Sequence, residues 1–279
     1  MRVAVLGAGG LLGKHVLEEL RGHDAVALPR SVCDLGDRAQ VLAATVGCAA
    51  IINCGAYTNV DGAETHEDEA YRANALGAEN AARAARTHGA QLVHVSTDFV
   101  FDGTSATPYD EWAVPNPVSL YGKSKWVGEE LVRGIGGRWA IARVQGLYGA
   151  GGRNFSSRLA EFVTAGKPLK LDRQRRVQPT WARSAARALV SLVEADEAGV
   201  FHVSCGGETT WAGFTHALCE RLAVPATFVE VDSAALSTPA ARPPNCVFAH
   251  RMLKVKGLPS LPSWQDALDE YVDELKRGL

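Results

Sequence analysis

What this chain lacks is informative. Its opening apolar stretch stops at Gly7, far short of a secretory signal region or a bilayer span, so the expected location is the cytoplasm with no membrane partner. Charge of one sign is also missing. Lys and Arg number 29 against 31 Asp and Glu, a net charge of -2, which offers no global field for nucleic acid and leaves any phosphate recognition to local groups. The six cysteines show no CxxC spacing, which argues against zinc sites and disulfide frameworks and for reduced thiols in or near the core. The eight histidines form no HxxH or HxH pair, and no metal is expected. There is no internal repeat and no low-complexity tract.

What is present is an apolar content of 47% over 279 residues, enough for one large domain or a domain with a smaller lobe. Short β-rich runs at Val3–Leu6, Ala25–Leu28, Ala50–Asn53, Gln91–Ser96 and Trp139–Arg143 alternate with segments of helical periodicity at Leu11–Arg21, Asp37–Val46, Ala63–Thr87 and Ser119–Arg133. Parallel strands need crossovers of this kind, so the expected fold is α/β, a doubly wound parallel (Rossmann) sheet. After Arg143 the rhythm loosens, with helices expected at Phe155–Ala165 and Ala182–Glu194 and a Pro-rich loop at Ser237–Pro244. The expected division is a dinucleotide domain of residues 1–143 and 177–203 and a smaller C-terminal substrate-binding lobe of residues 144–176 and 204–279. The alanine-rich segment Ala63–Thr87 suits either the sheet or a second subunit, which leaves a homodimer open.

Gly7, Gly10 and Gly13, with Gly9 between them, form GxxGxxG directly between the first strand and the first helix. Glycines there permit a tight turn and close backbone approach, and the helix start receives a pyrophosphate. An acidic residue usually ends the second strand of an NAD site. Here that point reads Leu28, Pro29, Arg30, Ser31, and a cation beside a hydroxyl suits a 2′-phosphate. NADPH is therefore the expected cofactor, with NADH as the alternative and Arg30 as the 2′-phosphate partner. Asp34 is placed either to receive an adenine amino group or to cap a helix.

Tyr121 and Lys125 lie four residues apart and share a helix face. A nearby ammonium favours the phenolate and is expected to pull the tyrosine down from its usual pKa of about 10, making it an acid for a forming alkoxide. Ser96 and Thr97 end the fourth strand at the edge where open α/β sheets bind ligands, and one of them is suited to hold a substrate carbonyl. Both residues also suit a plain strand end and turn cap.

These features together resemble the extended short-chain dehydrogenase/reductases, and within them the dTDP-4-dehydrorhamnose reductase family. The resemblance covers almost the whole chain. It rests on the opening glycines, NCGAYTNVDGAE at Asn53–Glu64, STDFVFDG at Ser96–Gly103, YGKSK at Tyr121–Lys125, Arg153–Phe155, Pro179–Thr180, Thr210–Trp211 and Arg242–Asn245. It implies a catalytic set of Thr97, Tyr121 and Lys125, with Lys125 also on the nicotinamide ribose. It implies a cofactor lying across Gly7, Gly9, Gly10, Leu11, Leu12, Gly13, Asp34, Leu35 and Ala56, with Tyr57 and Asn74 in segments that line it. The implied reaction carries hydride to C4 of a 6-deoxy-4-ketohexose on a nucleotide diphosphate, and Ser96, Thr97, Asp98, Tyr121, Asn154, Phe155 and Arg242 are the substrate-side residues.

Two departures bear on the substrate. The aromatic that such proteins commonly carry after the fifth strand is replaced by Gly146, and the loop before Pro179 reads Gln174, Arg175, Arg176, Val177, Gln178. Arg242, and with less support Arg175 and Arg176, are candidates for the diphosphate, against the alternative of a solvated basic loop. Competing functions are a sugar epimerase, a reductase of another ketone, and a non-catalytic NADP(H)-binding regulator resembling the regulatory β subunit of methionine adenosyltransferase.

Overall fold

The structure is a computed structural model that describes residues 1–150, 168–225 and 227–278. Six parallel strands form the central sheet: β1 (Arg2–Leu6), β2 (Asp24–Leu28), β3 (Ala50–Asn53), β4 (Gln91–Thr97), β5 (Trp139–Val144) and β6 (Gly199–Val203). Their order across the sheet is β6-β5-β4-β3-β1-β2. The five strands expected from the sequence are all present. The sixth, Gly199–Val203, went unmarked because its first two residues are only half-buried and its apolar run is short.

Helices close both faces. On one side α1 (Leu11–Glu19) packs with α5 (Ala182–Glu194): Leu12 and Val16 meet Ala185, Leu189 and Val193 beneath Val3, Val5 and Val93. On the other side α2 (Arg38–Ala44), α3 (Gly77–His88) and α4 (Leu120–Ile135) bury Val41, Ala78, Ala81, Ala85 and Val132 against Ala4, Ile51 and Ile141. Small side chains on α3 let it approach the sheet closely, so its alanine face is spent on this subunit's own core.

The segment Ala63–Thr87 is not one helix. It consists of Val60–Ala63, Glu67–Tyr71, a π-helical turn at Arg72–Leu76, and α3. The widened turn packs directly on α4: at Gly128 an added Cβ would lie 2.3 Å from the Asn74 carbonyl oxygen, so backbone meets backbone there. A third cluster gathers Tyr148, Trp181, Phe214, Leu218, Trp264, Leu268 and Tyr271 between α6 (Trp211–Leu222) and α7 (Trp264–Gly278). A two-residue antiparallel pair and a parallel pair of Phe228–Val231 with Leu169–Asp172 complete this part. Residues 237–244 carry no regular element, as their prolines require. The expected helix Phe155–Ala165 lies outside the described residues. All six cysteines are free.

Candidate active site

The strand order reverses between β1 and β3, and the glycine loop lies at that point. Gly7 has φ +73, and an added Cβ would lie 2.5 Å from the Cα of Gly55 just beyond β3. A Cβ on Gly13 would lie 2.4 Å from the Gly7 carbonyl oxygen, so this helix-to-loop approach requires glycine. Gly10 starts α1 with no side-chain cap, which leaves the leading amides at Leu11 and Leu12 for a ligand. Beside Gly9 a Cβ would meet nothing closer than 3.4 Å, so the loop's outer face is open. The cradle fits a dinucleotide pyrophosphate.

At the end of β2, Arg30 is exposed and makes no ion pair among the described residues. The hydrogen bonds from Arg72 and the Gly36 amide lower the Asp34 carboxyl, with smaller help from the charges of Arg72 and Arg30. Asp34 does not cap α2; Asp37 does, accepting from the Ala39 and Gln40 amides. Asp34 instead receives both guanidinium nitrogens of Arg72, at 3.0 and 2.8 Å, and the Gly36 amide at 2.9 Å. Leu35 leans over Gly55, where an added Cβ would reach its Cδ1 at 2.2 Å. Ala56 and Tyr57 follow, half-buried, on the same edge. Asn74, fully buried in the π-helical turn, accepts from the Tyr57 amide at 2.8 Å and donates to the Tyr57 carbonyl at 3.1 Å and to Ser124 Oγ at 2.9 Å. It therefore clamps the β3 loop to α4.

Thr97, Tyr121 and Lys125 come together between β4 and α4. Ser119 caps α4 by accepting from the Gly122 amide, which sets Tyr121 in the first turn. Tyr121 is 9% exposed, its ring edge-on to Phe99 at 5.5 Å, with the Thr97 hydroxyl close enough to interact with its phenol. Lys125 is buried and donates to the Val95 carbonyl at 2.6 Å. The expectation that the ammonium lowers the phenol is corrected by this geometry. Burial pushes Tyr121 up to about 12, opposed by the Thr97 hydrogen bond, and Lys125 does not offset it. Burial also brings Lys125 down to about 8, against the opposing pull of Glu129 and Cys54.

Ser96 is buried with its hydroxyl unpartnered, and strand alternation points it to the face opposite Thr97. Thr97 donates to Asp98 at 3.0 Å. Asp98, raised by burial, accepts from Gln145 at 3.0 Å. Gln145 also donates to the Cys246 carbonyl and accepts from the Gln178 amide at 2.6 Å, tying β5 to the loop before Pro179. Gly146 has φ +55, with Gln178 and Pro179 backbone 3.3 Å from an added Cβ. An aromatic placed on this backbone would take a left-handed conformation against the Gln178 and Pro179 backbone.

Sequence reasoning missed Arg72, Gln145 and Gln178, which no motif marks, and the pair Glu129–Arg143. Glu129, fully buried, accepts from Arg143 at 2.9 and 2.8 Å and from Arg133 at 3.1 Å. Its place four residues after Lys125 on one helix was the available signal. Arg242 is held by both oxygens of Asp61, at 2.8 and 2.7 Å, and Arg176 by Glu208, while Arg175 lies within electrostatic range of Asp172 and Asp98. Asn154 and Phe155 lie outside the described residues.

Residues 1–277 match the family model described as RmlD substrate binding domain. A dTDP-4-dehydrorhamnose reductase of Burkholderia thailandensis is 34% identical, covering 99% of this chain and 99% of that protein. The spore coat polysaccharide biosynthesis protein SpsK of Bacillus subtilis is 32% identical over 98% of this chain and 97% of its own length. A crystal structure of dTDP-4-dehydrorhamnose reductase from Bacillus anthracis in complex with NADP superposes with a TM-score of 0.95 at 32% identity, covering 98% of this chain and 99% of that one.

Proposed function

The chain belongs to the RmlD substrate binding domain family, and from that premise we propose that it is an NADPH-dependent reductase of a nucleotide-linked 4-keto-6-deoxyhexose. It is an oxidoreductase of the extended short-chain type, like its dTDP-4-dehydrorhamnose reductase relatives. The observation that carries the finer reading is the meeting of Thr97, Tyr121 and Lys125 beside the glycine cradle.

In this reading the nucleotide sugar lies between the Thr97–Asp98 edge and the turn of residues 172–178 with the segment 240–248. NADPH held by the cradle of Gly7, Gly10 and Gly13 would supply the hydride that reduces the ketone carbon. Tyr121, held neutral by burial, donates its phenolic proton to the carbonyl oxygen as that oxygen gains charge. Thr97 lies within hydrogen-bond reach of that phenol and orients it. Lys125, one turn after Tyr121 on α4 and fixed on the Val95 carbonyl, would hold the nicotinamide ribose when the cofactor is bound and would bring the site its positive charge. Its pKa of about 8 leaves it mostly protonated at pH 7. Asp98 and Gln145 hold Thr97 in place. Arg30 is the residue assigned to the 2′-phosphate, with NADH as the weaker alternative.

The test is to mix the purified protein with NADPH and a panel of nucleotide-linked 4-ketohexoses and follow loss of nicotinamide absorbance. Oxidation with one sugar supports the reading and names the substrate. Binding of NADPH without oxidation of any of them overturns it in favour of a regulatory role or another ketone.

A further inference from the structure

Four arginines are candidates for an anion or lie beside one: Arg173, Arg175 and Arg176 follow one another closely after the short strand Leu169–Asp172, and Arg242 sits in the Pro-rich segment, within electrostatic range of Arg175. Three already hold carboxylates. Arg173 donates to Asp232 at 2.7 Å, Arg176 grips Glu208 with Nε and Nη2, and Arg242 makes the two-pronged pair with Asp61. The expectation that Arg242 serves a diphosphate therefore meets an obstacle, because an anion would have to compete with Asp61 for the same fork.

Arg175 differs. Its guanidinium makes no hydrogen bond or ion pair among the described residues, and its Nε is buried without an acceptor. The carboxylates facing it are Asp98 and Asp172, and both are engaged elsewhere. Asp98 accepts from Thr97 and Gln145. Asp172, 6% exposed, accepts from the Gln174 and Arg175 amides at 2.9 and 3.0 Å and from Ser233 Oγ at 2.8 Å. Those bonds fix the backbone of the turn from which the half-buried Arg175 projects. Arg242 and Cys246 are its other neighbours. A buried guanidinium N–H without an acceptor is costly, and burial lowers the pKa of Arg175 accordingly.

We propose that Arg175, and not Arg242, is the cation that binds the sugar-linked phosphate of the nucleotide diphosphate. The assignment rests on the reductase reading above. Thr97 holds the C4 end of the hexose, and the phosphate on C1 lies one sugar ring away. The strand that follows Arg175 leads to Gln178, whose amide donates to Gln145 at 2.6 Å, and Gln145 donates to Asp98 at 3.0 Å, so the Arg175 turn approaches the edge that carries Thr97. Arg242 then acts as a latch between the Asp61 turn and the Pro-rich loop, where it also donates to the Ala240 carbonyl at 2.9 Å.

The experiment compares wild type, R175Q, R175K and R242Q as full chains, reading steady-state kinetics with the best sugar of the panel, calorimetric binding of dTDP to the NADP-loaded protein, NADPH affinity and melting temperature. The expected result for R175Q is a rise in KM and a loss of dTDP affinity on the order of 10- to 100-fold, the worth of charged hydrogen bonds, with kcat and NADPH affinity changing far less. R175K should recover only part, since a point charge replaces a fork. R242Q should lower the melting temperature more than dTDP affinity. Unchanged dTDP affinity in R175Q, or a larger loss in R242Q, overturns the assignment while leaving the reductase reading intact. A wild type that binds NADPH but neither binds dTDP nor turns over any sugar overturns both.

Discussion

Tyr121 and Lys125 shift in opposite directions for one reason: each is buried, and burial favours the neutral form of both. The tyrosine keeps its proton, which is what a donor needs, and the lysine titrates near the pH at which it must work. Tyr121→Phe should keep fold and NADPH affinity yet cut turnover by roughly 10²-fold or more, as loss of a general acid does. Sugar-dependent NADPH oxidation, with a melting curve as control, checks this; undiminished activity would remove the residue from its role. Arg30 is exposed and without an ion pair, so Arg30→Ala should weaken NADPH roughly fivefold to tenfold and NADH hardly at all, measured at low salt. At this scale the sequence was a good guide to which residues matter and a poor one to their environment. The spacing of Tyr121 and Lys125 announced a shared helix face. It carried no information on where the ammonium points, because the Val95 carbonyl that takes it belongs to another element.

Elements were legible where one periodicity ran from cap to cap. The parallel strands announced themselves through runs such as Val3–Leu6, buried on both faces, and α4 through its Ser119 cap. The stretch before α3 was misread because it breaks into short pieces and a π-helical turn at Arg72–Leu76, whose Asn74 backbone meets Gly128 of α4, a tertiary contact that local periodicity does not carry. That contact predicts opposite outcomes for one substitution in a single helix. Gly134→Ala lies in open space and should stabilise by up to about 1 kcal/mol through helix propensity. Gly128→Ala drives a Cβ into the Asn74 carbonyl and should destabilise by about 1–3 kcal/mol despite the same propensity gain. Because Asn74 holds the Tyr57 backbone, NADPH affinity should fall with it. Urea unfolding of both variants checks the sign, and a Gly128→Ala protein as stable as wild type would mean the close approach is dispensable.

For the whole molecule, the consequence of placing this chemistry inside a packed sheet edge is that stability carries the titration of the site. Lys125 is lowered from 10.5 to about 8, so between those values the unfolded chain holds a proton that the folded chain has released. Stability then rises with pH across that window, and below about 8 the full penalty of a buried ammonium is present. Tyr121 works on the next window: raised from 10 to about 12, it keeps its proton when folded, so its contribution is complete below 10 and is lost as pH climbs through 12. The two effects meet near pH 10. Lys125→Met fills a similar volume without the charge and should be more stable than wild type at pH 7, with the difference closing as pH rises from about 8 to 10.5. Chemical denaturation of both proteins at half-unit pH steps measures that gap directly. A gap that stays constant with pH would mean that Lys125 titrates at its ordinary value, and that the Val95 carbonyl and the nearby Glu129 fully offset its burial.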